Sequence, residues 1–451
     1  MPQPAPSSPP ADSHLRECLA CGQFQAVPHV KAKQAAHCLR CDTPLRRGRA
    51  RPLTHSLAFT VAAAAMLLLA VSLPFLGLRA LGRSYPSTMF TGPISLSHQG
   101  LPELGLLVLL TAIVMPAVKL GLMLWVLVGL RTANPPRGLP RAFAWLDTVR
   151  PWAMVEVFML GVFVAFSRLE AIATVTIGPA LYAIGACMLA TAAADASLDH
   201  EAVWEEMDRR GLSGAPLAGG PQRISCTSCH RVHQAESGQR CTRCHTVLRL
   251  RAPRSVATTW SLVLASLVFY LPANLLPVMT VVRYNRSQPD TIMSTVRQLG
   301  EAGMWPLAVL VFFASIMVPG AKLIALILMM VTTHRRSAWA LRGRTRLHRI
   351  VEAIGRWSML DVFLLSTLVA LVQVGLLSTI RPESGDIYFA SVVVLTMIAA
   401  RSFDSRLMWD AAGQSDADNP DSLEIAASMS LLGTDPDATP SDGPRPAGAR
   451  A

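Results

Sequence analysis

"IVMPAVKLGLMLW" occupies residues 113–125, and "IMVPGAKLIALIL" occupies residues 316–328. Each stretch is apolar except for one lysine, Lys119 in the first and Lys322 in the second, and each lysine follows a proline, Pro116 or Pro319, by three residues. A charged side chain near the centre of a bilayer costs about 2.5–3.5 kcal/mol even on the gentlest scales. The same costly arrangement twice, 203 residues apart, points to a duplicated unit.

Other pairs of segments repeat at nearly the same offset. "CLAC…CLRC" returns as "CTSC…CTRC", "SLPFL" as "LLPVM", and "MPAVKL" as "VPGAKL". "WAMVEVFML" returns as "WSMLDVFLL", and "DHEAVWE" (199–205) as "DSRLMWD" (404–410). A bilayer core needs about 20 helical residues. Apolar runs of that order fall at 56–78, 104–130, 152–173 and 176–194, and again at 258–282, 304–332, 357–380 and 387–400. The last is short and extends to 403 or lies partly at the interface. Four spans per copy is an even number, so both copies enter from one side, as a parallel repeat with an axis along the membrane normal.

Composition agrees. The chain of 451 residues is 51% hydrophobic and only 16% charged. Its net charge of +12 would suit nucleic acid, but the arginines crowd into short segments between spans. "RRGRAR" (46–51), "RLRAPR" (249–254) and "HRRSAWALRGRTRLHR" (334–349) all lie on one side. The positive-inside rule makes that side, and both termini, cytoplasmic. Leu347, Ile350, Val351 and Ile354 are spaced like the apolar face of an interfacial helix. No soluble basic domain is left over to hold nucleic acid, and no cleavable signal peptide is expected at the Pro/Ser-rich start.

Eight of nine cysteines form four CxxC pairs. Cys18/Cys21 with Cys38/Cys41, and Cys226/Cys229 with Cys241/Cys244, each supply four thiolates, the donor set of a structural zinc ribbon. Soluble pieces this small need such a staple. A rubredoxin-like iron would use the same ligands. The expected architecture is therefore an all-α polytopic membrane protein of two tandem modules. Each is a small cytoplasmic four-cysteine ribbon followed by four transmembrane helices, eight in total. The boundaries expected are a disordered tail at 1–13, ribbon one at 14–50 and membrane module one at 51–210. A linker at 211–221, ribbon two at 222–252, module two at 253–410 and a disordered tail at 411–451 complete the chain.

Helical rise puts both lysines near mid-membrane, and the next span carries an acid one turn after its tryptophan, Glu156 or Asp361. Lys119–Glu156 and Lys322–Asp361 are the expected pairs. The prolines free backbone carbonyls, which in membranes often line cavities, and Asn274 in "LPANLLP" adds a polar group between two prolines. Arg168, Glu170, Gln373 and Gly375 mark the outer ends of the third spans. Two readings stand: pairs that lock helices together, or a polar pocket or pathway built from Pro116, Lys119, Glu156, Asn274, Pro319, Lys322 and Asp361.

The doubled module, "LPANLLP", "PGAKL", "RWSMLDVFLL" and "FDSRLMWD" together resemble the paraquat-inducible protein A family over residues 18–410. The first module departs, with "VSLPFL" for the Asn-bearing motif and "WAMVEVF" for the Asp-bearing one. The resemblance implies a multi-pass protein of the bacterial inner membrane, partnered by a periplasmic MCE-domain protein and passing phospholipid between membranes. No GxxxxGK[ST], HExxH or GxSxG motif is present, and no enzyme is expected. The rivals are an assembly scaffold without a lipid path and a membrane electron carrier with iron in the cysteine sites.

Overall fold

Among the described residues, eight helical segments of 19–30 residues are long and apolar enough to cross a membrane: 53–72, 102–129, 139–167, 179–197, 255–275, 305–334, 341–370 and 384–402. The computed structural model describes residues 14–28, 30–31, 34–49, 52–80, 83–170, 174–283, 286–372 and 378–414. The terminal tails at 1–13 and 415–451, together with Gln373 and Gly375, lie outside those residues, as do the side chains of Arg168 and Glu170.

The first ribbon has hairpins β1 (His14–Glu17)–β2 (Phe24–Val27) and β3 (Ala35–His37)–β4 (Pro44–Arg47). The first membrane repeat begins with α1 (Pro52–Ser72), β5 (Leu76–Ala80), β6 (Arg83–Ser87) and α2 (Thr91–His98). Next, α3 (Pro102–Leu109) runs through a π-helical turn, Leu110–Val114, into α4 (Met115–Gly129). After α5 (Leu139–Val149), a 3-10 turn at Arg150–Trp152 leads to α6 (Val155–Glu170), β7 (Thr174–Ile177), α7 (Pro179–Ser197) and α8 (His200–Arg209).

The second ribbon holds β8 (Gln222–Ser225) and β9 (Val232–Ala235), and the same membrane order then returns. It starts with α9 (Ser255–Leu275), β10 (Met279–Arg283), β11 (Arg286–Asp290) and α10 (Ile292–Glu301). The sixth span is α11 (Trp305–Phe312), a π turn at Phe313–Met317 and α12 (Val318–His334). The seventh is α13 (Leu341–Ile354), a 3-10 turn at Gly355–Met359 and α14 (Leu360–Val372). Last come β12 (Ser378–Pro382), α15 (Ser384–Ser402) and α16 (Arg406–Ala411), which carries ordered chain into the segment expected to be tail.

The chain is mostly helical, as expected, and a duplicated antiparallel sheet is added at the end remote from the ribbons. Strand order is β6-β5-β7 in one repeat and β11-β10-β12 in the other. Leu76 pairs with Ser87 and Ile177; Met279 pairs with Asp290 and Pro382.

Three span starts that bear on the site differ from the hydropathy reading. The third and seventh spans begin at 139 and 341, not at 152 and 357, because Arg141 and Asp147 on α5 and the four arginines of α13 lower the local hydropathy. On α13 the buried face is Leu341, Thr345, His348 and Val351, whereas Ile350 and Ile354 are exposed. The eighth span starts at Ser384, three residues earlier than expected, since buried Asp386 interrupts its apolar run.

Each proline widens its helix. Proline has no N–H, and its ring collides with the carbonyl four residues back. One turn of i→i−5 bonding relieves both problems: Met115 N donates to Leu110 O, and Val318 N to Phe313 O. In the first copy the carbonyl left without a donor by Pro116 finds a partner; in the second a tyrosine braces the π turn. Thr111 O accepts from Met154 N in the break of the third span, at 3.3 Å. Ile316 O accepts from the Tyr270 hydroxyl at 3.2 Å.

Within each repeat the first and fourth spans pack together, α1 on α7 and α9 on α15. The repeats meet along α6 and α14, where Phe158 and Phe363 lie edge to face at 5.5 Å. Gly161 allows that approach, since an added Cβ would stand 2.9 Å from the Phe363 Cβ. The outer faces stay apolar, with Leu68, Leu189, Leu271 and Ile324 exposed, as a bilayer requires.

In sequence a ribbon precedes each set of spans; in space each ribbon is seated on the other copy. The second ribbon's cysteines share a core with Met123, Phe143, Trp204 and Met207 of the first repeat. Those of the first ribbon share one with Leu326, Met329, Met408 and Trp409 of the second. Corresponding residues make corresponding contacts: Arg243 lies over the Trp204 ring at 5.2 Å, and Arg40 over Trp409 at 5.4 Å. Arg406 to Glu17 at 3.0 Å and Arg251 to Asp410 at 2.6 Å tie the first ribbon, the second ribbon's exit and the second repeat together.

Candidate metal centres and membrane-embedded site

The four CxxC knuckles share one backbone design. The amide after each second cysteine donates to the carbonyl of the first: Gly22 to Cys18, Asp42 to Cys38, His230 to Cys226 and His245 to Cys241. All four of those residues have positive φ, from 57° to 80°. The turn aims both thiols of a knuckle at one point. His245 is therefore a turn residue and not a ligand, and His37 instead faces Asp42 at 3.0 Å.

Within each cluster the four sulfurs lie within 4.8 Å of one another. Cys18–Cys41 and Cys21–Cys38 are 3.5 Å apart, Cys226–Cys244 3.4 Å and Cys229–Cys241 3.5 Å. A tetrahedron of Zn–S bonds of about 2.3 Å has edges of about 3.8 Å, so the donor sets fit a tetrahedral metal ion. Hydrogen bonds from neighbouring thiols, Cys18 and Cys226 foremost, hold Cys41 and Cys241 well below the ordinary thiol range.

Sequence reasoning missed His233. Its Nδ1 accepts from Leu217 N at 3.1 Å, which leaves the proton on Nε2, 3.3 Å from Cys241 Sγ. The imidazole thus donates to a ligand thiolate, the role an outer-shell group plays around a metal. Gln25 occupies the matching place in the first ribbon and bonds Leu39 N and His37 O instead.

Inside the membrane the two lysines differ. Lys119 is buried and its Nζ lies 2.7 Å from Asp195 Oδ2. Arg150 approaches the same oxygen at 3.8 Å. The acid comes from α7, not from Glu156 of the following span, so the expected pairing is corrected. Lys322 is also buried, and its Nζ has no hydrogen-bond partner among the described residues; the expected bond to Asp361 is not formed. The reason in both copies is the broken third span. Its 3-10 turn stands at the level of the lysine, and the acid, in the first turn of the next helix, is carried past it. A Cβ on Gly355 would lie 3.8 Å from Lys322 Nζ.

Asp361 lines a small apolar cavity at the seam of the repeats, with Val164, Met279, Thr295, Val311 and Asp386. Its volume of ≈ 30 Å³ holds a water or two and no acyl chain. Asp386 is buried, and its Oδ2 has no partner among the described residues. Sequence reasoning missed it, because it sits just before the apolar run expected to start at 387. Asn274 is not in that cavity: its Nδ2 donates to Tyr270 O at 2.8 Å, within the brace to the sixth span's π turn.

The profile of the family described as "Paraquat-inducible protein A" matches residues 53–208 and 256–413, once per membrane repeat. The chain belongs to the paraquat-inducible protein A family. Intermembrane transport protein PqiA of Escherichia coli K12 is 32% identical over 413 residues, 88% of this chain and 96% of that protein. Lipophilic envelope-spanning tunnel protein A of the same strain is 30% identical over 397 residues, 88% of this chain and 91% of the relative. A probable intermembrane transport protein of Haemophilus influenzae is 26% identical over 421 residues, 91% and 98% of the two chains. No solved structure matches. Family membership and eight spans together make this a multi-pass membrane protein. The family profile covers both lysines but neither ribbon.

Proposed function

We propose that this chain is the inner-membrane subunit of an intermembrane lipid-transport system, handing phospholipid between the bilayer it spans and a periplasmic MCE-domain partner. The observation that carries this reading is the narrow cleft at the seam of the repeats, apolar yet holding Asp361 and Asp386. The basic loops put the ribbons in the cytoplasm, so the cleft lies toward the periplasm. Its volume excludes a lipid in this conformation, and passage requires α14 to move against α6 and α10. Relatives named for intermembrane transport and for an envelope-spanning tunnel support the same direction.

In this account the work is unequally divided. Pro319, Lys322 and Asp361 form the working pathway and Asn274 belongs to the brace of its π turn, whereas Pro116, Lys119 and Glu156 belong to a braced copy. The ribbons hold structural zinc, which supplies folding stability to the cytoplasmic ends. The protein is not an enzyme.

The test is transfer of radiolabelled phospholipid from vesicles containing the chain to acceptor vesicles, with and without the periplasmic part of an MCE-domain partner. Partner-dependent transfer is the expected result. Normal partner binding without transfer would leave a scaffold.

A further inference from the structure

Aligning the two repeats position by position isolates one difference. In the first, Lys119 bonds Asp195, with Arg150 behind the carboxylate. The matching positions in the second repeat are Ala400 for Asp195 and Gly355 for Arg150. The lysine is kept, while its acid and that acid's second cation are both replaced by small residues. Two alanines, Ala112 and Ala153, change in the opposite sense, to Ser315 and Ser358.

The result is a cluster of donors without an acceptor. Lys322 Nζ, Ser315 Oγ and Ser358 Oγ are all buried without a hydrogen-bond partner among the described residues. They lie on segments that pack together: the π turn before Pro319, the first turns of α12 and the 3-10 turn Gly355–Met359. Lys322 is 2% exposed, so its ammonium does not snorkel to water. A buried cation with two idle hydroxyls is tolerable when an anion with several oxygen acceptors joins it. Each copy thus presents a buried lysine suited to an anion, met in the first by the chain's own carboxylate.

We infer that the second repeat binds a phosphate group between Lys322, Ser315 and Ser358, and that the first repeat is the same site closed by Asp195. Resting on the transport reading above, the inference assigns this phosphate to the headgroup of the phospholipid in transit. Free inorganic phosphate has the same chemistry and is separated by the test.

The test uses the full chain, purified in mild detergent, in two binding assays. Native mass spectrometry reads retained phospholipid, and equilibrium dialysis of lipid-stripped protein reads ³²P-phosphate. Ala400→Asp restores the internal acid, and we expect it to lower phospholipid retention at least tenfold. Asp195→Ala opens the first slot, and we expect a second retained phospholipid. The Ser315→Ala/Ser358→Ala pair, which removes no charge, is expected to weaken retention several-fold with an unchanged melting temperature, so a folding defect cannot account for the loss.

Saturable phosphate binding sensitive to Ala400→Asp, with no phospholipid retained, would keep the site but assign it to soluble phosphate. Retention and phosphate binding that both ignore Ala400→Asp and the serine pair would overturn the inference. Vesicle transfer that persists in that case would leave the transport reading standing. Sensitive retention without any transfer would do the reverse.

Discussion

Lys119 and Lys322 were legible as functional candidates because a lysine in an apolar run needs a reason. Their surroundings were less legible. Asp195 stands 76 residues beyond Lys119, and only its loss at Ala400 gives it meaning. His233 had no sequence signal beyond lying eight residues before a ligand cysteine. His200 shows what a residue's setting does to its chemistry. Burial, helped by the Arg150 charge, holds its pKa at about 4, below the ordinary 6.5. Between those values the unfolded chain binds a proton that the folded chain does not, so stability falls as pH drops from about 6.5 to about 4. The ring is about a third exposed, so solvent screening limits the loss to about 1–2 kcal/mol. Melting curves from pH 7.5 to 4 should show the decline, and His200→Phe, which keeps the ring packing on Phe143, should flatten it.

At the scale of elements, eight spans were readable because hydropathy reports length and apolarity. Their breaks were not. The prolines announced freed carbonyls, but only the structure shows the π turns, with Thr111 O accepting from Met154 N in one copy and the Tyr270 hydroxyl bracing Ile316 O in the other. The α5 segment read as a loop and α13 as an interfacial helix rather than part of a span, because polar and charged residues lower hydropathy whether or not the opposite face is buried. That error misplaced Glu156 and Asp361 relative to the lysines. Packing makes its own demand at the α6–α14 seam. Gly161→Val should destabilise the protein by about 1–3 kcal/mol, since its Cβ meets Phe363 and the backbone of Leu364. Gly121→Val on α4, where an added Cβ meets nothing within 4 Å, should leave the melting temperature nearly unchanged.

At the scale of the molecule, the repeat and its cysteine pairs were plain in the sequence, but the exchange of ribbons between repeats was not. Which surface a small domain covers is set by contacts such as Arg243 on Trp204 and Arg40 on Trp409, and spacing alone does not report them. The exchange makes a directional prediction. Cys241→Ser removes a ligand from the second ribbon, and hydrogen exchange should then rise first in α8 and the ribbon-side end of α4, in the first repeat. A rise confined to α9 and α16 would contradict the seating described. Metal analysis of the intact chain should find two zinc ions, falling to one in that variant.

The central claim is that phospholipid passes beside Lys322 and is kept from Lys119. A diazirine-bearing residue at Leu323, and separately at Leu120, in cells fed radiolabelled phospholipid, tests it most directly. Both positions are buried, at 3% and 2% exposure, so neither is labelled by bulk lipid, and exposed Ile324 serves as the bilayer-facing positive control. The account predicts a labelled adduct at Leu323 and none above background at Leu120. No adduct at Leu323, or equal adducts at both, would contradict it.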